Sequence, residues 1–251
     1  MQRLHRFGIA AVLLGAVAAV EPVHAAMIDY YALNEGSGTT AIDSVNGRNG
    51  TISGNVTYTS NGRNGTTAAL FGGTNGAISL PGSVLNAVNG SQEVSLTMWV
   101  NMSAYNGNGY ETIFDTPNRQ FSFWATSYGG WGGTDGFGGP IPFATPLAVN
   151  QWQFLAVSYA ADHQRFDVFV NGVFEGSRTP APGIKTFNQV ISLGFNTSGG
   201  GTPFQGMMQE VSIYDTAYVP PNAAPEPAPM ALAGAGLLAL AAGGFRRKRR
   251  G

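Results

Sequence analysis

Between residues 26 and 220 the chain offers many short β-rich runs, in the clearest of which apolar side chains recur at every second position, and no stretch repeats convincingly at 3.6 residues. That spacing restricts the chain to half-buried strands. Val94-Ser95-Leu96-Thr97-Met98-Trp99-Val100 puts Val, Leu, Met and Val on one face and Ser, Thr and Trp on the other. Arg165–Val170 runs into Asn171-Gly172 and then Val173-Phe174-Glu175. Asn-Gly between two β-rich runs calls for a two-residue type I′ turn, because both turn positions need φ > 0. Further strands are expected at Ile28–Ala32, Ala68–Phe71, Ala77–Leu80, Thr112–Phe114, Phe121–Ala125, Phe154–Tyr159, Val190–Phe195 and Gln209–Tyr214. Many short strands separated by glycine-rich turns predict an all-β, two-sheet antiparallel sandwich. The hexapeptide Asn-Gly-Arg-Asn-Gly-Thr occurs at 46–51 and again at 61–66. Two copies do not make a solenoid, so they read as turns flanking a Thr51–Tyr58 hairpin.

Both ends differ from this body. Arg3, His5 and Arg6 precede an apolar run from Phe7 to Val20, and Val23-His24-Ala25 supplies small residues for a signal peptidase. Residues 1–25 therefore read as a secretory signal peptide cleaved after Ala25. The other end reads Pro225-Glu226-Pro227, an uncharged run from Ala228 to Phe245, then Arg246, Arg247, Lys248, Arg249 and Arg250. A helix over 228–245 would rise ~1.5 Å per residue and reach roughly 27 Å, close to a bilayer core of about 30 Å. The five cations would hold its end in the cytoplasm as a membrane stop. This order resembles the PEP-CTERM sorting signal of Gram-negative bacteria. The resemblance implies a transient single-pass anchor in the inner membrane, processing near the motif by an exosortase, and final residence in the envelope or extracellular matrix. Pro225, Glu226 and Pro227 are then the sorting and processing residues, within a tail of 221–251.

The body, 26–220, is one domain's worth of chain. Six of the 13 basic residues fall in it against 12 of the 14 acidic ones, leaving about −6. A nucleic-acid partner needs a basic footprint, and none is present. There is no cysteine, so disulfides, thiol catalysis and cysteine-zinc sites are excluded.

Seven segments in order resemble the laminin-G-like, concanavalin A-like jelly-roll domains. They are Tyr31–Gly38, the turn Asp43–Gly50, Ala69–Gly73, Val94–Val100, Gln151–Tyr159, Val168–Gly172 and Phe204–Tyr214, the last resembling the family's closing Phe-x-Gly-x-hydrophobic-Asp-Glu-Val-x-Ile-Tyr. The resemblance implies the fold and leaves open a lectin, an adhesion module, a glycosidase or a lyase. Some relatives bind calcium through acids where this chain has Gly72 and Gln209. Asp115, Asp135 and Asp215 remain as oxygen donors, without EF-hand spacing; no cofactor is expected, and calcium is the one metal the resemblance brings in. Asn171 and Glu210 read as turn and sheet-edge residues.

Retaining glycosidases need two carboxyls about 5–5.5 Å apart. The Glu-x-Asp-x-Glu of laminarinase-type hydrolases does not occur here. Glu210 and Asp215 are five apart, which puts them on opposite faces of one strand. His163 is the one histidine of the body and reads as a turn residue. A binding role has more support. Tyr128–Pro140 is a glycine-rich loop carrying Tyr128, Trp131, Asp135 and Phe137, residue types that stack on sugar rings and orient their hydroxyls. Folded back, the same aromatics would cover the sandwich. Tyr110, with Tyr105, flanks a second Asn/Gly segment. The expectation is a non-catalytic module for exopolysaccharide binding or adhesion, with a polysaccharide hydrolase or lyase as the alternative.

Overall fold

The computed structural model describes residues 26–88, 92–105, 109–133, 139–142, 146–160, 164–179, 188–197 and 202–218. The signal peptide, the Pro-Glu-Pro motif, the apolar run and the basic end lie outside these residues, as do Asp135, Phe137 and His163. No helix among the described residues is long and apolar enough to cross a membrane.

In chain order the elements are β1 (Met27–Tyr31), β2 (Thr40–Ala41), β3 (Gly50–Ser53), β4 (Val56–Thr59), β5 (Ala68–Gly72), β6 (Ala77–Leu80), the one-turn α1 (Ser83–Asn86), β7 (Val94–Met102), β8 (Tyr110–Asp115), β9 (Ser122–Thr126), β10 (Gly129–Gly133), β11 (Gly139–Pro142), β12 (Trp152–Ala160), β13 (Arg165–Val170), β14 (Val173–Arg178), β15 (Ile191–Leu193), β16 (Thr202–Pro203) and β17 (Gln205–Tyr214). They form two sheets. The first runs β14-β13-β12-β7-β17-β5-β4, with β1 also paired to β17. The second runs β11-β10-β9-β8-β15-β6-β3-β2, with β16 on β8. Pairing is antiparallel apart from the short β16–β8 contact.

The two inner faces make one core. Leu96, Met98, Val157, Val168 and Ile213 of the first sheet meet Ile78, Phe114, Phe123 and Leu193 of the second, all fully buried. Each such side chain stabilises the fold by about 1.5–3 kcal/mol relative to exposure. The alternation in Val94–Val100 is observed, but its outer face is covered too: Ser95 and Thr97 are buried, and Ser95 Oγ donates to the Thr216 carbonyl.

The Thr51–Tyr58 hairpin does not form. β3 pairs with β2 and β6 of the second sheet, whereas β4 pairs with β5 of the first. Gly54-Asn55 is a crossover between the layers. Gly54 has φ +64, and a Cβ there would stand 2.1 Å from the Asn75 carbonyl oxygen. Sequence periodicity sees two adjacent β-runs and is blind to which sheet each joins.

The repeated hexapeptides each deliver an arginine to the β1–β17 pair. Arg48 grips Asp29 of β1 through Nε (2.8 Å) and Nη2 (3.0 Å). Arg63 Nη2 donates to both oxygens of Glu210 at 2.9 Å, and its guanidinium lies 4.1 Å from the Trp99 ring centroid. Glu210 is not at a sheet edge. It sits in a bulge of β17 with φ 53, between the Gln209↔Trp99 and Ser212↔Thr97 pairs. There β17 exchanges one neighbour, β5, for another, β1. A bulge carries one unpaired residue, and the Glu210 N–H is satisfied by the Ala32 carbonyl. Asn171 does occupy the β13–β14 turn, with φ 52 followed by φ 80 at Gly172.

Candidate functional site

β9 separates two chemistries. Phe121, just before it, and Phe123 and Ala125 within it join the core. By alternation Ser122, Trp124 and Thr126 face the other way, onto the outer face of the second sheet. Directly opposed residues of antiparallel strands share a face, so Tyr110↔Thr126 and Thr112↔Trp124 place Tyr110 and Thr112 of β8 there too. The Arg119 guanidinium lies 4.9 Å from the Trp124 ring centroid. Thr112 Oγ1, Ser122 Oγ and Trp124 Nε1 are buried and have no hydrogen-bond partner among the described residues.

Tyr110 and Tyr128, read from the sequence as parts of separate segments, come together here. The turn after β9 carries Tyr128 back so that its hydroxyl donates to Tyr110 at 2.7 Å. Their rings stand perpendicular with centroids 6.4 Å apart. Donation to Tyr110 raises the Tyr128 phenol above its ordinary pKa. Tyr128 is 56% exposed, the largest aromatic exposure on this face among the described residues.

Trp131 is not in a loop. Gly129–Gly133 is a strand whose Trp131 Cα lies opposite Trp124 on one side and Pro140 on the other. A glycine-rich run shows no alternation, so the pattern misses it. Its backbone ladder needs no side chains, and a Cβ on Gly132 would meet the Ser122 carbonyl oxygen at 2.7 Å and the Phe166 ring at 3.0 Å.

From Asp115 a polar row crosses the sheet in register: Asp115↔Ser192, Ser192↔Ser79, Ser79↔Thr51, Thr51↔Thr40. Asp115 Oδ2 accepts the Thr197 N–H at 2.9 Å and its hydroxyl at 2.8 Å. Strands ~4.8 Å apart make this row about 19 Å long.

The acids of β8 do not face each other. Glu111 and Asp115, four apart, would share a face in a regular strand. The bulge between Thr112 and Phe114 sends both Ile113 and Phe114 into the core. It thereby leaves Asp115 on the outer face and Glu111 opposite Ala125 on the inner one, where Thr202 Oγ1 donates to it at 3.1 Å. Asp215 lies beyond β17 of the first sheet and accepts the Ala26 N–H at 3.0 Å, so Asp115 and Asp215 do not converge. Among the described residues, no three His, Cys, Asp or Glu side chains are grouped to hold a metal. Trp124, Thr112 and Ser122 carried no sequence signal beyond membership of strands.

Residues 71–223 match the family described as the concanavalin A-like lectin/glucanases superfamily (Laminin_G_3). The chain belongs to this superfamily. Its fold is similar to domain 4 of AbnA, an extracellular family-43 arabinanase from Geobacillus stearothermophilus solved with arabinotriose. The TM-score is 0.58 at 23% identity, over 78% of this chain and 95% of that one. Trypanosoma rangeli sialidase gives 0.59 at 11% identity over 77% of this chain, which spans 31% of that enzyme. The receptor-binding domain of botulinum neurotoxin type G gives 0.52 at 14% identity, over 77% and 48% respectively. No curated protein matches the chain.

Proposed function

We propose that the protein is an exported, non-catalytic module that binds polysaccharide on the outer face of its second sheet, at the end where β8 carries Tyr110 and the turn after β9 carries Tyr128. The observation that carries this reading is the Tyr128–Tyr110 pair: an exposed ring fixed edge-on by its neighbour, with its hydroxyl already oriented. A pinned aromatic ring offers a stacking platform at little entropic cost. Farther across the same sheet, the accessible part of the row, Ser79, Thr51 and Thr40, supplies polar partners for a chain of sugars. The arabinotriose bound by the arabinanase domain supports the ligand class. The separation of Glu111 from Asp115 by the bulge favours binding over glycosidic hydrolysis, which needs paired carboxyls.

Tyr128→Ala is expected to weaken binding on a glycan array by about 1–2 kcal/mol, roughly 5–30-fold, with thermal stability unchanged. Trp131→Ala on the neighbouring strand should act in the same direction. Full affinity in both variants would remove the platform. Hydrolysis or elimination products from any polysaccharide would favour the enzyme reading.

The tail defines the partners in this proposal: signal peptidase, the inner membrane, an exosortase, and exopolysaccharide outside. Glu226, the one charge between Asp215 and Arg246, is the specificity handle in this reading. Glu226→Ala should leave export intact while the anchored, unprocessed form accumulates, as followed by mass and membrane fractionation. Equal maturation in hosts with and without an exosortase would reduce the tail to a plain anchor.

A further inference from the structure

The start of the sandwich is tied to the last residues described. The Ala26 backbone nitrogen donates to Asp215 Oδ1 at 3.0 Å. The Asp215 N–H returns a bond to the Ala26 carbonyl at 3.2 Å, and the next pair inward is Met27↔Tyr214. In the uncleaved chain this nitrogen is a neutral peptide amide. Cleavage after Ala25 would turn the same atom into an ammonium group. We infer that Asp215 is the receptor for the α-ammonium that signal-peptide removal creates at Ala26, so that maturation itself closes a charged clasp between β1 and the segment leading to the C-terminal tail. The inference rests on the signal-peptide reading and is independent of any sugar site.

Contacts of three further residues show what the clasp would hold. Beyond Asp215 the chain lies across the outer face of the first sheet. The Thr216 carbonyl accepts the Ser95 hydroxyl, and the Ala217 N–H donates to Glu93 at 3.4 Å. The Tyr218 ring packs 5.1 Å from Phe169 and 6.1 Å from Phe154, centroid to centroid. Asp215 is the first residue of this strap. An amide-to-carboxylate bond, already charge-assisted on its acceptor side, becomes an ion pair at the same two atoms and gains the modest Coulombic attraction of an exposed pair. The partners are already in place, so the new charge costs little reorganisation. While the signal peptide is attached, the strap is held by amide-to-carboxylate bonds, one hydroxyl-to-carbonyl bond and ring contacts. After cleavage it gains a charged anchor at its root.

The test uses the full chain exported with its own signal. N-terminal sequencing of the processed protein should begin at Ala26. The pH dependence of acylation of that α-amine should place its titration roughly half a unit above the ordinary range of about 7.7–8.0, the scale of an exposed ion pair. Asp215→Asn should return it to that range. A raised amine pKa adds stability that is complete below the unfolded value and lost as pH rises through the folded one. The loss of stability caused by Asp215→Asn should therefore be larger at pH 7 than at pH 10 in the processed protein. In a precursor kept uncleaved by Ala25→Phe, the loss should be smaller at pH 7 and should not change between these pH values. Processing at another bond, or an Ala26 amine that titrates identically with and without Asp215, would overturn the inference. Glycan binding measured on the same samples reports separately on the proposed sugar site.

Discussion

Arg48→Ala should cost the protein about 3–5 kcal/mol at neutral pH, because it leaves the carboxylate of Asp29 buried without its cation. Asp29 is fully buried and held by two bonds from Arg48. Burial already lifts its pKa to about 6; Arg48 offsets part of that rise and Asp43 adds to it. Burial also works against ionisation of Asp43, but hydrogen bonding with Asp29 and with the N–H groups of Tyr30, Val45 and Arg48 outweighs it. Asp43 is therefore held well below the usual carboxylate range. The two acids act in different windows. With a folded value near 6 and an unfolded one near 3.9, Asp29 binds more protons in the folded state, so its contribution falls as pH rises from about 4 to about 6. The contribution of Asp43 is present above its unfolded value and lost as pH drops further. Without Arg48 the Asp29 window extends upward, so the penalty of the variant should grow between pH 5 and pH 8. Thermal melts of parent and variant across that range measure it. The double variant Arg48→Met/Asp29→Leu should recover much of the loss, since replacing a buried pair by apolar groups is often neutral. An Arg48→Ala penalty below about 1 kcal/mol at pH 7.5 would contradict this account.

Gly206→Val is the second substitution expected to be severe, at about 3–5 kcal/mol from backbone strain and overpacking together. Gly206 lies in β17 at φ +148. A Cβ there would stand 2.2 Å from the Asn101 carbonyl oxygen and 2.9 Å from the Met102 Cα. Both atoms belong to the backbone of β7, the neighbouring strand, and neither can swing aside. Gly172→Ala is the control. It has φ +80 but nothing within 4 Å, so it should lose only about 1 kcal/mol for the left-handed conformation. Midpoints of denaturant unfolding for the two variants should differ several-fold in their displacement from the parent; equal displacements would show that φ alone sets the cost.

Gly206 also marks how far the sequence could be read. Phe204-Gln205-Gly206 was visible as a motif, but the carbonyl that makes the glycine necessary belongs to a strand about a hundred residues earlier. Strands with alternating side chains, such as β7, β12 and β13, were legible because the period reports burial of one face. β10 was not, since five residues that include four glycines have no face to alternate. The Gly54 crossover was misread as a hairpin for a related reason: local pattern specifies extended backbone and says nothing of which layer receives it. In the candidate site Tyr110 and Tyr128 were both singled out, yet their meeting depends on the β8–β9 register and on a turn that no local rule supplies. Asp29 and Arg48, 19 residues apart, carried no joint signal at all.

The last strand among the described residues is also an interior one. β17 lies between β7 on one side and β5 and β1 on the other. Before it arrives, the first sheet exists only as two separate pieces, β14-β13-β12-β7 and β5-β4, with β1 unpaired within it. A chain made or threaded from its N-terminus therefore cannot complete this layer until Tyr214 has emerged, however early the first strands are available. Long-range pairings of this kind make folding slow. For such a chain, the time this layer spends with open strand edges is set by the arrival of β17, ten residues long.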